Sequence, residues 1–292
     1  MVSSRMTSFI GVLFDGIAYG SLLFLISLGL SVTMGLMNFI NLAHGAFAMF
    51  GGYLAVWLMM RWGVPFLATL PIAFAVLAAV GALMERVLYR RLYGASALDQ
   101  VLFTIGITFM SMAAATWFWG SGQQPVTLPA FLRGQVTVAG IELGAYRLFL
   151  VAFVVVVTVA LKLLIERTRF GSQVRAAVDN RQASSALGIP VDRVFSLMFA
   201  LGSGLAGLGG VLGIDVLGLD PAFPLKYMVY FLLVVVVGGA GTIHGAAVAA
   251  IVLGIFDVAG KYYFPQAGAF IIYFLMVALL LAFPAGLYGR RT

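Results

Sequence analysis

Residues 148–165 read LFLVAFVVVVTVALKLLI, and the four residues behind them, 166–169, read ERTR. The first stretch has the length and apolarity of a helix made for lipid: at about 1.5 Å per residue it nearly spans the ~30 Å hydrocarbon core of a bilayer. The second opens the most charged interval between any of the apolar runs, Glu166 to Arg193. There Arg167, Arg169, Arg175, Arg181 and Arg193 are suited to meet something in water. The pairing reads as a membrane machine driven by a soluble partner.

Composition agrees. Of 292 residues 63% are hydrophobic and 9% charged, against about 25% charged in a soluble domain, so polar groups cannot cover a globular surface. The chain is read as an integral membrane protein. Thirty-five glycines among Leu, Val, Ala and Phe point to helices packed through small residues and not to the alternation of a β-barrel. The expected fold class is an all-α polytopic membrane protein with residues 1–292 forming a single transmembrane domain. Cysteine is absent, which removes disulfides, thiolate metal sites and cysteine nucleophiles. The net charge of +7 reports topology and contact with membrane lipid; no basic face alternates with exposed aromatics, so nucleic acid is not an expected partner.

Candidate spans are Phe9 to Val32, Met37 to Met60, Phe66 to Met84, Val101 to Trp119, Leu148 to Ile165, Val194 to Ile214, Tyr227 to Ile243, Gly245 to Phe264 and Phe270 to Leu287. That predicts a bundle of eight or nine helices. The count turns on two interrupted or re-entrant segments, Asn38 to Gly45 and Gly238 to Gly245. The first run follows Arg5, is longer than a signal-peptide core and lacks a small-x-small cleavage site, so it reads as a retained helix. Arg86, Arg90 and Arg91, Lys162 with the five arginines above, and Arg290 and Arg291 make up 11 of the 17 basic residues. They mark the cytoplasmic face. The Pro- and Gly-rich loops Gly120 to Arg147 and Asp215 to Lys226 then lie outside, and the side of the N-terminus stays open. Gly202, Ala206 and Gly210 fall on one helix face, with Gly209 and Gly213 alongside, for close packing. Gly202 to Gly207 formally matches a dinucleotide fingerprint, but it lies inside an apolar helix with no strand before it.

In the charged loop, Ser172 is a good N-cap and Gly188 followed by Pro190 a clear stop, which predicts one helix over Gln173 to Leu187. Val174, Ala177 and Val178 share a face, to which Ala186 and Leu187 return, while Arg175, Asp179, Asn180 and Arg181 are polar. Two readings fit such a helix: a solvated loop held to anionic headgroups, or a docking helix that enters a groove of a partner and transmits its motion.

The run Arg169-Phe170-Gly171, Arg175-Ala176-Ala177, Ala183, Ala186-Leu187-Gly188-Ile189 and Asp192-Arg193-Val194 resembles the cytoplasmic loop of permease subunits of bacterial ABC importers for branched-chain amino acids. These are the LivH-type subunits of the binding-protein-dependent transport permease family. The likeness continues in Ile40 to Gly45, in Glu85-Arg86-Val87 with Tyr89-Arg90, in Gly238 to Thr242 with Gly245-Ala246, and in Pro284-Ala285-Gly286 with Gly289-Arg290. The resemblance implies that the loop, residues 166–193, docks on an ATP-hydrolysing subunit. It implies further partners too: a second, related permease, two ATPase subunits that hold ATP and Mg, and an extracytoplasmic substrate-binding protein, all at a bacterial cytoplasmic membrane. The chain departs from the pattern at Ala46, where many relatives carry glutamate, and at His244, where many carry proline. Both departures bear on the cargo.

A polar break inside an apolar run is a candidate pathway element, because free backbone groups need protein or water to satisfy them. Asn38, Asn41 and His44 form one break; Gly238, Gly239, Gly241, Thr242 and His244 form the other. Amides at a half-helix N-terminus could face a small-molecule carboxylate; alternatively the Asn and His side chains cap broken helix ends and never touch cargo. His44-Gly45-Ala46 and His244-Gly245-Ala246 lie 200 residues apart, hinting at two halves, roughly 1–120 and 147–292. Asp15 and Asp257 lie in apolar spans, either as parts of an ion path or near helix ends in reach of water. No lysine of the three, Lys162, Lys226 and Lys261, is followed by Ser or Thr, so there is no phosphate-binding loop and no ATPase site. No catalytic or metal constellation is present, and no cofactor is expected in this chain. The expected function is the permease subunit of an ATP-driven importer for branched-chain or other small hydrophobic amino acids. Its rivals are the same design moving urea, short amides or aromatic acids, and an autonomous channel or ion-coupled carrier.

Overall fold

Long apolar runs close their own backbone hydrogen bonds as helices, and that is how nearly all of this chain is arranged. The computed structural model describes residues 2–37, 39–138, 141–283 and 286–288. Asn38, Pro284, Ala285, Gly289, Arg290 and Arg291, named above, lie outside the described residues. The helices are α1 (Val2–Met37), α2 (His44–Trp62), α3 (Phe66–Val87), α4 (Ala97–Trp119), α5 (Ala145–Arg167), α6 (Arg169–Asp179), α7 (Arg181–Ala186), α8 (Val191–Leu217), α9 (Phe223–Gly238), α10 (Ile243–Tyr263) and α11 (Gly268–Ala282). A short 3-10 turn, Tyr89–Leu92, links α3 to α4. One feature departs from the all-α expectation: β1 (Gln135–Val138) and β2 (Ile141–Gly144) pair antiparallel, Val136 opposite Leu143, as a small hairpin before α5.

Six described helices have the length and composition to cross a membrane: α3, α4, α5, α8, α10 and residues 8–35 of α1. The chain is a multi-pass membrane protein. α9 and residues 270–282 of α11 are apolar but shorter. The first span runs on to Met37, and the second, expected from Met37, becomes helical only at His44.

The centre of the bundle is α8. Gly202 lies against Gly29 of α1, Gly204 against Phe74 of α3, Gly209 against Ile26, and Gly210 against the carbonyl of Ala48 in α2. The small residues therefore serve three neighbours, α1, α2 and α3, and not the single face expected. At Gly210 any Cβ would collide with the α2 backbone, so glycine sets the distance between the two helices.

The pairings also give the direction of each helix. Gly29 against Gly202 with Ile26 against Gly209, and Gly16 against Ile255 with Gly20 against Ile251, set α1 antiparallel to both α8 and α10. One end of the bundle gathers the 3-10 turn, the α5–α8 loop and the α9–α10 turn. There Arg90 reaches Asp192, and the Leu287 amide donates to the Val237 carbonyl at 2.7 Å. The other end holds the start of α5, where Arg147 pairs with Asp15 and the Tyr146 hydroxyl donates to the Leu212 carbonyl. Gln124, in one of the two Pro- and Gly-rich loops, donates its amide to Leu219 of the other at 2.8 Å. The basic groups of the 3-10 turn and the α5–α8 loop thus collect at one end, and α1 begins at the opposite one.

Candidate coupling loop and interrupted helices

The loop between α5 and α8 is two helices, not the single one expected over Gln173 to Leu187. Thr168, not Ser172, caps α6, accepting from the Gly171 amide at 3.1 Å, while the Ser172 hydroxyl donates to Arg169 O at 2.8 Å. Asn180 is extended (φ −151°) and ends α6. Its side-chain oxygen accepts from the Ala183 amide at 2.9 Å and so starts α7. An asparagine side chain can offer the backbone a cap in competition with helix continuation, and here the packing of α6 against α5 selects the cap. The expected stop holds, with Gly188 at φ +82°.

This joint decides what the loop presents. Val174 and Ala177 are buried against the bundle, whereas Val178 and Leu187 are exposed, Leu187 at 82%. Arg175 donates to the Ile165 carbonyl at the end of α5. Arg181 pairs with Asp192 at 3.1 Å and lies 5.3 Å from the centre of the Phe195 ring. Two of the expected docking residues are therefore held by the chain itself, and Asp179 and Leu187 face outward. Between α7 and the start of α8 lies an open cavity of about 480 Å³ lined by Arg181, Ser185, Ile189, Pro190, Asp192 and Arg193.

Behind this loop is a group that sequence reading noted only as part of the family likeness. Glu85, at the end of α3, is fully buried. It accepts two bonds from Arg90, both 3.3 Å, one from the Tyr93 hydroxyl at 2.8 Å and one from Ser196 of α8. Burial, reinforced by Glu85, pushes the Tyr93 phenol above its ordinary range, which keeps it a donor.

The first interruption, residues 39–43, runs beside the opening turns of α4. The Ile40 amide donates to Gln100 Oε1 at 3.1 Å, and the Leu42 amide to Thr104 Oγ1 at 3.2 Å. The Leu42 carbonyl accepts from Thr108 at 3.3 Å. Gln100, Thr104 and Thr108 were not singled out from the sequence. Their signal is the four-residue spacing of polar side chains on an otherwise apolar helix, which puts them on one face. Within the break Asn41 Oδ1 accepts from the Ala43 amide at 3.1 Å, and its buried Nδ2 has no protein partner. His44 is buried and its Nε2 donates to the Ile26 carbonyl at 2.8 Å; a carbonyl only accepts, so the ring carries its proton on Nε2. A small cavity of about 10 Å³ lies between Asn41, His44, Leu30, Met228, Phe231 and Leu232. The α4 partners make a direct test. Thr104→Val keeps the shape but leaves the Leu42 amide unsatisfied, an expected loss of about 1–3 kcal/mol. It is read as a lower thermal transition of the purified protein and faster hydrogen exchange at Leu42.

The second interruption is a tight turn wedged on α1. Gly239 and Gly241 adopt φ of 93° and 81°. The Thr242 hydroxyl donates to the Gly238 and Gly239 carbonyls at 3.0 and 2.8 Å, and the Gly241 amide donates to the Ser31 carbonyl at 3.1 Å. Both breaks are thus pinned to the last third of α1, at Ile26 and Ser31. His244, by contrast, is exposed, so the two histidines occupy different environments. The two intraspan acids are both paired, Asp15 with Arg147 and Asp257 with Lys261 at 2.6 Å.

A family model described as the permease component of branched-chain amino acid transport systems matches residues 12–281. The high-affinity branched-chain amino acid transport system permease protein BraD of Pseudomonas aeruginosa is 29% identical over 95% of this chain and 95% of its own length. The corresponding protein LivH of Salmonella typhimurium is 29% identical over 99% of this chain and 98% of its own. A probable branched-chain amino acid permease of Methanocaldococcus jannaschii is 28% identical over 95% and 92%. No solved structure matches.

Proposed function

The chain belongs to the family of branched-chain amino acid transport permease components, and from that premise we propose that it is the membrane-spanning subunit of an ATP-driven importer for branched-chain or other small hydrophobic amino acids. A second permease stands beside it, two ATPase subunits holding ATP and Mg lie below it, and an extracytoplasmic binding protein delivers the cargo. The membrane is the bacterial cytoplasmic membrane. The end that carries the 3-10 turn and the α5–α8 loop faces the cytoplasm. Nine crossings, with α2, α9 and α11 completing the six long spans, then put the N-terminus outside.

The observation that carries this reading is the pairing of a near-full-length family match with an α6–α7 elbow at the basic end that keeps Leu187 and Asp179 outward. ATP binding closes the ATPases and moves the elbow, and the ends of α5 and α8 move with it. The segments 39–43 and 239–242, both held to α1, gate the path between the two sides. The apolar neighbours of Asn41 and His44, including Leu30 and Phe231, enclose only about 10 Å³, so this point is closed and a cargo passes it only when the gate segments move. Ala46, buried two residues after His44, stands where many relatives carry an acid.

Reconstitution tests the assignment. Proteoliposomes holding this chain, its permease partner, the ATPases and the loaded binding protein are expected to accumulate labelled leucine only with ATP, and this chain alone is expected to accumulate none. Uptake by the isolated chain would replace the reading with a channel or carrier.

A further inference from the structure

We propose that Glu85 is a positioning residue that links the α7 elbow to the interrupted segment 39–43, through Asp192 and Arg90 on one side and through Tyr93 against Phe39 on the other. The inference rests on the coupling reading above. The chain of contacts begins at Arg181 in α7, 3.1 Å from one oxygen of Asp192. The other Asp192 oxygen is 3.8 Å from Arg90, whose guanidinium donates to both oxygens of Glu85. Glu85 accepts the Tyr93 hydroxyl. The Tyr93 ring meets Phe39 edge-on with centres 5.6 Å apart, and Phe39 is fully buried directly before Ile40, whose amide is held by Gln100.

The two ends of this path differ in a way that gives it direction. Arg181 and Asp192 are half exposed, at 51% and 58%, so water replaces their contact at small cost when the elbow moves. Glu85 has no exposed surface, and a buried carboxyl that loses a donor has no water to take its place. Arg90, Glu85 and Tyr93 therefore shift together and do not part, and the displaced Tyr93 ring bears on Phe39. Spatial continuity is not itself proof of energetic coupling, so coupling is what must be measured.

The measurement is hydrogen exchange on the full chain in lipid nanodiscs. Asp192→Asn and Arg181→Gln alter exposed groups and leave the fold intact. Each is expected to speed exchange of the amides at 39–43 about tenfold while the α8 interior, residues 202–213, is unchanged. Asp192→Glu restores the slow exchange. Tyr93→Phe is expected to act in the same direction, and to add little when combined with Asp192→Asn, because both cut one path. Unchanged exchange at 39–43 in Asp192→Asn and Arg181→Gln overturns the proposal, as does full additivity with Tyr93→Phe. No ATPase subunit is present in this experiment, whereas docking is read by copurification with the ATPases, so either idea fails without the other.

Discussion

Gly241→Val is expected to abolish ATP-driven uptake, with a loss above about a hundredfold in reconstituted complex. Three effects coincide. A β-branched residue at φ +81° is strained by about 1–3 kcal/mol. Even its first side-chain carbon would approach Gly35 Cα to 2.9 Å, so α1 has to move away. The Gly241 amide would then leave the Ser31 carbonyl, detaching the α9–α10 turn from α1. Gly106→Ala is the control, because a Cβ at Gly106 meets nothing within 4 Å. It is expected to transport normally. Full uptake by Gly241→Val in a correctly inserted chain would remove the gate role from this turn.

The second large effect is expected at Leu187. With 82% of it exposed, its replacement by aspartate leaves the fold alone, yet in a docked complex it puts a charge into the contact. A central interface residue is worth about 2 kcal/mol or more, some thirtyfold in affinity. Copurification of the ATPase subunits and substrate-stimulated ATP hydrolysis should fall together. Asp179→Arg should act in the same direction and depend on salt. Retained copurification with normal stimulation in both variants would show that the elbow is not where the ATPase binds.

The broad architecture was legible because lipid imposes it: runs such as 148–165 have one stable outcome, and the arginines sort the ends. Residues 169–188 show what local reading misses. Their helix-forming content and the Gly188 stop were visible, but whether Asn180 lies mid-helix or caps the next helix depends on α6 folding back on α5, a tertiary fact. Arg175 and Arg181 looked free for a partner because a sequence does not reveal that Ile165 and Asp192 come within reach. The two interruptions were visible as polar breaks. Their partners were not, since Gln100 and Thr104 stand about 60 residues away and mean nothing until α4 lies beside the break. Enclosure of α8 on three sides was likewise hidden: its glycines marked close packing, but only the assembled neighbours reveal how many helices use them.

The dependence of segment 39–43 on α4 has a consequence for biogenesis. When residues 39–43 leave the ribosome, the side chains that satisfy Ile40 and Leu42 have not been made. At about 5–20 residues per second, translating the next 60 or so takes roughly 3–12 s. For that interval the half-built bundle must keep those amides hydrated, in the insertion machinery or at the lipid surface. The first two helices therefore reach their final arrangement only once the fourth has arrived.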